Sequence, residues 1–525
     1  MRHLRAGKAA IGLAAASVAV LAFAAHAAPA GKPAASGEQA VAAIVAKLAD
    51  DPLALHQFLR PMPKGGDLHN HLSGAIWAED YIAWGAQAGY CASADGLTVV
   101  PPPCPPERAL SRPQPQGSDA PSRLIDSFST RGWQLGVGRN ERSGHDQFFQ
   151  TFGQFAPIAH IATGKMLAAV RRNAALEQVS YLELDHNTEA LASHIMGAPP
   201  KGMTEAEIPA LYAEELAALG PVMDKAQLEL TGDEAEAERL LACQSAAPQP
   251  ACKVKVHYLW QAMRALPARQ VFRSLVAAFA MADRDPRYVG MNIVMPEDAE
   301  LALADYDLHM AMIRFLSAKY PKVRRTLHAG EMAPGLVAPQ HMQDHIAKAI
   351  AAGAERIGHG VDIGYEANSR QTLAEMARHH VAVEINLSSN DVILGVKGKG
   401  HPLGLYRRAG VPFVLSTDDA GVLRTDMTRE YVRAVREQGL TYGELKQAAR
   451  ASLEHSFLRG PSLWAGGRIG AVAAGCKASF TVESCTKLLD ASEKAKAQAD
   501  LEMRFAVFER GVNAMAAPKS KGFAP

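Results

Sequence analysis

His69 and His71 stand two apart in the stretch Lys64-Gly-Gly-Asp-Leu-His-Asn-His-Leu-Ser-Gly-Ala75. In a strand, residues i and i+2 face the same side, so this pair aims two imidazoles at one point. Alone, the pair also fits two surface or core histidines. Three further stretches supply matching chemistry: Thr326-Leu-His-Ala-Gly-Glu331, Ile357-Gly-His-Gly360 and Ser416-Thr-Asp-Asp-Ala-Gly421. His69, His71, His328 and Asp418 offer three nitrogens and one oxygen, a zinc set that leaves a place for water. One zinc per chain in that set would ease deprotonation of the water. Glu331 can exchange a proton with a substrate. His359 can deprotonate or electrostatically steer the water, and Asp419 can accept a hydrogen bond from water or substrate. Together these residues describe metal-assisted attack of hydroxide with a carboxyl group assisting.

Such a site needs a frame that gathers distant stretches. Short apolar runs predict strands at Asp67–His71, Val179–Asp185, Val254–Trp260, Tyr288–Val294, Arg325–His328, Arg356–His359, Val381–Asn386 and Val411–Ser416. Helical spacing predicts helices at Phe148–Arg172, Gln270–Ala282, Asp305–Lys319, His341–Ala352 and Ser369–His379. Eight strands alternating with helices are the arithmetic of a (β/α)8 TIM-type barrel, here over residues 61–515. These barrels carry their chemistry at the carboxyl ends of strands, where the candidate residues fall. Glycines beside His328, His359 and the two aspartates permit tight turns and close backbone approach.

Outside the barrel, Arg2, Arg5 and Lys8 precede an apolar run from Ala9 to Ala25, which ends in Ala25-His26-Ala27. This is the form of a secretory signal peptide cleaved after Ala27, and the run is short for a membrane anchor. The expectation is a periplasmic or secreted protein with no stable membrane insertion after cleavage. Residues 28–37 read as a linker, and Gln39–Leu59 as a helix. The 55 Lys plus Arg nearly cancel the 54 Asp plus Glu, so no basic excess points to a nucleic-acid partner. Six cysteines fall into local pairs, Cys91 with Cys104, Cys243 with Cys252 and Cys476 with Cys485. An oxidising compartment fits them, though six cysteines permit other pairings. Each bridge would close a short loop, contributing about 2–3 kcal/mol. The proline-rich segment 91–123 reads as an irregular, disulfide-pinned insertion. Residues 197–251 read as a second insertion, helical in its acidic middle.

With these residues laid out, the chain resembles the adenosine/AMP deaminase branch of the metal-dependent amidohydrolases. The likeness covers about residues 60–460 and rests on HNHLSGA at the first strand, HAGE at 328–331, RIGHG at 356–360, VEINLSSN at 383–390, HPLGLYRRAGVPFVLSTDDAG at 401–421 and LKQAARASLEHSFL at 445–458. The resemblance implies zinc on His69, His71, His328 and Asp418. It implies that Glu331 protonates purine ring nitrogen 1 and that His359 and Asp419 handle the attacking water. The implied reaction is hydrolytic deamination of adenosine or deoxyadenosine to the inosine-type product and ammonia. Two positions depart from the family pattern. Ser73 stands where an acidic residue usually contacts the ribose, and a hydroxyl binds more weakly than a carboxylate. Met295 stands near a usual glycine whose amide meets the purine, and its side chain crowds that approach.

Other readings remain open at this stage. Deamination of AMP, adenine or methylthioadenosine uses the same chemistry. A two-metal hydrolase would call for a bridging lysine, and no strand ends in one. A secreted, non-catalytic signalling relative is the reading from another class, and the intact ligand and acid set weighs against it. His341 and His345, four apart, read as surface or cap residues rather than a metal pair. His160 and His379-His380 read as structural, and His186 and His257 as residues that could line the pocket. Ser389 and Asn390 read as supports of the site. The oligomeric state is not legible.

Overall fold

The computed structural model describes residues 37–113, 118–133 and 142–516. The expected signal peptide and nearly all of the linker lie outside the described residues. Eight parallel strands form the core: β1 (Gly65–His71), β2 (Val179–Asp185), β3 (Lys255–Met263), β4 (Tyr288–Val294), β5 (Arg324–Ala329), β6 (Arg356–His359), β7 (Ala382–Ile385) and β8 (Phe413–Leu415). Each is hydrogen-bonded to the next in chain order. A parallel bridge between Asn70 and Asp418 joins the first strand to the loop after the last, closing the ring as a (β/α)8 barrel. Parallel strands covered by helices are buried on both faces, which is why β4 reads as a near-continuous apolar run. The last two strands are shorter than their apolar runs suggest. Ladder bonds nonetheless continue past the end of β8, with the Ser416 N–H donating to the Ile385 carbonyl at 3.1 Å.

Prolines explain where the helices depart from expectation. The helix expected over 39–59 is two helices, Gly37–Leu48 and Pro52–Leu59. Asp51 caps the second by accepting the Ala54 N–H at 3.0 Å, and Pro52 takes its first position. A proline is tolerated there but not in a helix interior. The pattern over 148–172 likewise divides into Gly144–Ala159 and Thr163–Leu176, with Pro157 in the last turn of the first. The pattern over 341–352 becomes a short 3-10 turn followed by the helix His345–Ala351.

All three local cysteine pairs are disulfides: Cys91–Cys104, Cys243–Cys252 and Cys476–Cys485. The first pins a small hairpin, Cys91–Ala92 against Val99–Val100. The end of that segment is helical after all, from Ala120 to Ser127, because Pro121 falls in the first turn. The acidic helix expected within 197–251 runs from Ile208 to Leu240. It packs against the helices Thr163–Leu176, Glu189–Met196 and Ala268–Arg284, burying Leu219, Ala226, Leu230 and Ala237. The carboxyl-terminal helix Glu493–Ala516 packs on the first helix. Lys446 ties these two, with Nζ 2.8 Å from Glu38 and 2.6 Å from Glu509.

Candidate metal centre and active site

The residues singled out in the sequence meet at the carboxyl ends of β1, β5, β6 and β8. His69 Nε2 lies 3.4 Å, and His71 Nε2 3.3 Å, from the same Asp418 oxygen. The His328 ring is 4.4 Å from that of His69 and 5.3 Å from that of His71. Donor atoms of His69, His328, His359 and Asp418 lie within 4.8 Å of one another, as do those of His71, Asp418 and Asp419. The buried atoms His69 Nε2, His359 Nε2 and Asp419 Oδ1 have no hydrogen-bond partner among the described residues. Buried polar atoms are rarely left unpaired, and an unpaired His69 Nε2 within such a group fits a bound cation. An imidazole and carboxylate set of this size suits zinc.

The partners behind the histidines fix which nitrogen each one presents. His69 Nδ1 is 2.7 Å from Glu384 Oε2, so its proton sits there and Nε2 keeps a lone pair. The Ile293 N–H, which can only donate, bonds Asn292 Oδ1 at 2.9 Å. That oxygen is 3.0 Å from His328 Nδ1, so His328 also presents a lone pair at Nε2. Glu384 is in turn held by Arg356 Nε at 2.5 Å and Thr326 Oγ1 at 2.8 Å, and Arg356 reaches Glu183 at 2.7 Å. Burial would raise the Glu384 pKa, but Arg356 and His69 outweigh it and hold it at about 2. Burial likewise opposes protonation of His69, yet Asp418 and Glu384 hold its pKa well above the usual range. The Asp418 and Glu384 carboxylates therefore favour positive charge beside His69.

Glu331 and Asp419 are set differently. Glu331 is buried, and burial together with the Asp418 charge raises its pKa to about 8. That shift favours the protonated carboxyl at neutral pH. Its backbone N–H donates to Glu297 at 2.8 Å and that of Gly330 donates to the same carboxylate at 3.2 Å. His345 Nδ1 holds Glu297 at 2.7 Å. His345 is thus a buried positioning group stacked on Tyr306 at 3.6 Å, not the surface or cap residue that its spacing from His341 suggests. Arg264 Nε donates to the Met295 carbonyl at 2.8 Å and Nη1 to that of His328 at 3.1 Å. Burial also raises the Asp419 pKa, reinforced by Asp418 beside it. Ser389 Oγ donates to Asp418 Oδ2 at 2.6 Å.

Close packing here depends on glycine. A Cβ at Gly74 would fall 1.5 Å from Asp419 Oδ1, and one at Gly358 would fall 2.8 Å from His69 Cε1. His359, Asp418 and Met295 have φ of +66°, +56° and +81°, values that side chains other than glycine adopt at a cost and that cluster at functional sites.

A pocket of about 360 Å³ opens onto His71, His328, Glu331, His359, Asp418 and Asp419, with Ser73 and Met295 on its walls. Sequence reasoning missed Gln261 and the aromatic wall of Phe148, Phe149 and Phe152, which also border it. The spacing of those phenylalanines signals a helix face without saying what it faces. It also missed Glu384, Asn292, Arg264 and Glu297; for Glu384 a charged residue inside an apolar strand run was the available sign, and the other three carried none. His186 packs near Tyr258 and His257 near Tyr181, and neither borders the pocket.

Comparison with known proteins gives a consistent result. The family model described as adenosine deaminase matches residues 169–462, more than half of the chain. An adenosine deaminase from Yersinia pseudotuberculosis is 34% identical over 145 residues, 27% of this chain and 40% of that protein. An aminodeoxyfutalosine deaminase from Streptomyces coelicolor is 34% identical over 135 residues, 26% of this chain and 32% of that protein. The chain thus matches less than half the length of these curated relatives. An amidohydrolase from Burkholderia ambifaria, solved with bound zinc, has a TM-score of 0.50 at 16% identity, covering 87% of this chain and 94% of that one. That likeness bears on the fold alone.

Proposed function

The chain belongs to the adenosine deaminase family, and from that premise we propose that it removes the 6-amino group of adenosine or deoxyadenosine by hydrolysis. The single observation that carries the reading is a buried Glu331 sharing one pocket with His71, His328 and Asp418, behind which His69 completes the cluster. We assign one zinc per chain to those four residues. When bound, it supplies the Lewis acidity that makes a water nucleophilic near neutral pH.

The chain's own groups divide the remaining work. Glu331 gives its proton to ring nitrogen 1, so that electron density can leave carbon 6 as the water oxygen adds there. The water's proton passes to Asp419 on its own side, where His359 also stands. The amino group then takes a proton and leaves as ammonia, and the carbon–oxygen bond remains. Phe149, Phe152 and Met295 offer apolar contact to the purine, and Ser73 faces the sugar side.

A nucleoside fits better than a nucleotide because no lysine or arginine borders the pocket among the described residues. A phosphate would need such a partner. Export to a periplasm or out of the cell is the location we propose, on the signal-like residues 1–27 and the three disulfides. The barrel would follow from residue 61. No helix among the described residues is long and apolar enough to cross a membrane.

The test is a substrate panel of adenosine, deoxyadenosine, adenine, AMP and methylthioadenosine, read by loss of the adenine absorbance and by ammonia release. Adenosine or deoxyadenosine should give the highest kcat/KM. A preference for AMP would defeat the nucleoside assignment.

A further inference from the structure

His359 differs from the two histidines beside it in what lies behind its ring. His69 and His328 each face an acceptor at Nδ1. His359 faces an amide nitrogen, Asn390 Nδ2, at 3.0 Å. A second one, Asn386 Nδ2, lies at 3.4 Å.

The direction of that contact is set two residues further away. The Leu403 backbone N–H can only donate, and it bonds His401 Nδ1 at 3.2 Å. His401 therefore has its lone pair at Nδ1 and its proton at Nε2. That proton meets Asn390 Oδ1 at 3.0 Å. With its oxygen committed to His401, Asn390 turns its NH2 toward His359 Nδ1. Rotating the Asn390 amide would set two donors against each other at His401. All three side chains are buried, so water does not stand in for a lost partner.

We propose that this one-way relay, from Leu403 N–H through His401 and Asn390, holds His359 with its proton on Nε2, so that His359 donates a hydrogen bond in the pocket and is neither a metal ligand nor a general base. Asn390 and His401 are then positioning residues for the reaction, and the inference rests on the deaminase reading above. It separates the three histidines of the buried group His69, His328, His359 and Asp418 into two lone-pair donors and one N–H donor. The coordination place that His359 would have taken falls to His71. On the reaction coordinate, the His359 N–H is aimed at the oxygen of the attacking water, and it steadies charge there without accepting the proton.

The test reads the tautomer first. The zinc-loaded full chain is labelled with ¹⁵N-histidine, and the His359 signals are identified by their loss in His359→Gln. Long-range ¹H–¹⁵N spectra should show a protonated Nε2 and a bare Nδ1. A protonated Nδ1 would overturn the inference without recourse to any variant. Asn390→Asp should then reverse the tautomer, since a carboxylate demands a donor at Nδ1. It should keep one zinc per chain and lower kcat by about tenfold or more with little change in KM. His401→Gln, which retains a donor toward Asn390, should keep more activity than His401→Leu; equal losses in the two would count against the relay. A parent chain that deaminates no 6-aminopurine would defeat the proposed function, while the tautomer in the spectrum would still decide this inference.

Discussion

The two sides of the pocket are built by different means. On the metal side, nearly every polar group is backed by another. Glu384 and Arg356 stand behind His69, Asn292 behind His328, Ser389 behind Asp418 and Glu297 behind the Glu331 backbone. On the side proposed to take the purine and its sugar, shape does the work. Met295 is held at φ +81°, and three phenylalanines of one helix form an aromatic wall. Ser73 anchors its loop through its carbonyl, which accepts from Tyr81 OH at 2.7 Å. Chemistry is over-determined by buried hydrogen bonds, and recognition is left to a few adjustable contacts. Substitutions should therefore be severe on one side and mild on the other.

His328→Ala makes the strongest test of that contrast. It removes a nitrogen from a set whose members are backed individually, so both metal and activity should disappear. Elemental analysis of the purified variant showing full zinc content would break the ligand assignment. Glu331→Gln comes next, keeping the metal and losing about 10²–10⁴-fold in kcat. The pH dependence follows the same residue. Its folded pKa of about 8 lies above the ordinary 4.5, so the acid form is present at neutral pH and is lost as pH rises. The falling limb of kcat/KM should lie above the ordinary carboxylate value and no higher than about 8, since a cation nearby favours ionisation. Between those values the folded chain binds a proton that the unfolded chain does not, so this group lowers stability as pH rises. A kcat/KM profile with no limb in that window would assign the acid elsewhere.

Glu384→Gln probes the backing rather than the ligand. Second partners of metal-bound histidines are typically worth 10–100-fold in affinity, and zinc should weaken by about that factor. An unchanged affinity in chelator competition would show that Glu384 serves the fold alone.

How much was legible from sequence follows the same division. The candidate ligands and acid stand at strand ends, where residue type and spacing speak for themselves, and the runs Val179–Asp185, Tyr288–Val294 and Arg356–His359 match the observed strands residue for residue. Backing groups were silent. Glu384 and Arg356 are visible as charges in apolar runs, but nothing local says that they face each other and His69. His345 misleads because its distance from His341 mimics a surface helix pair, whereas the helix begins at His345 and its ring turns inward to Glu297. The breaks before Pro52 and after Pro157 were readable and were overridden by the apolar periodicity around them.

The sugar side should yield smaller effects. Ser73→Asp restores a charge-assisted contact worth about 1.5–3 kcal/mol when fully formed. At a half-buried site, a gain of about tenfold in kcat/KM for adenosine relative to its 5′-deoxy analogue is expected. An unchanged ratio would place Ser73 away from the sugar.

Met295→Gly should give the smallest change, and its sign depends on two opposed terms. A side chain at φ +81° carries roughly 1–3 kcal/mol of strain. Glycine relieves that strain but adds about 0.5–1 kcal/mol of unfolded-state entropy. The net expectation is a gain of about 1 kcal/mol in stability, because Met295 is only partly buried and loses little packing on truncation. The Met295 carbonyl is still held by Arg264, so the turn itself should persist. Freed of the side chain, the purine has more room and KM for adenosine should fall by about threefold, a change of roughly 0.7 kcal/mol. Denaturant melts and steady-state kinetics on the same preparation read both quantities. A destabilised variant with a raised KM would mean that Met295 grips the purine instead of crowding it, and the sugar side would then be as closely built as the metal side.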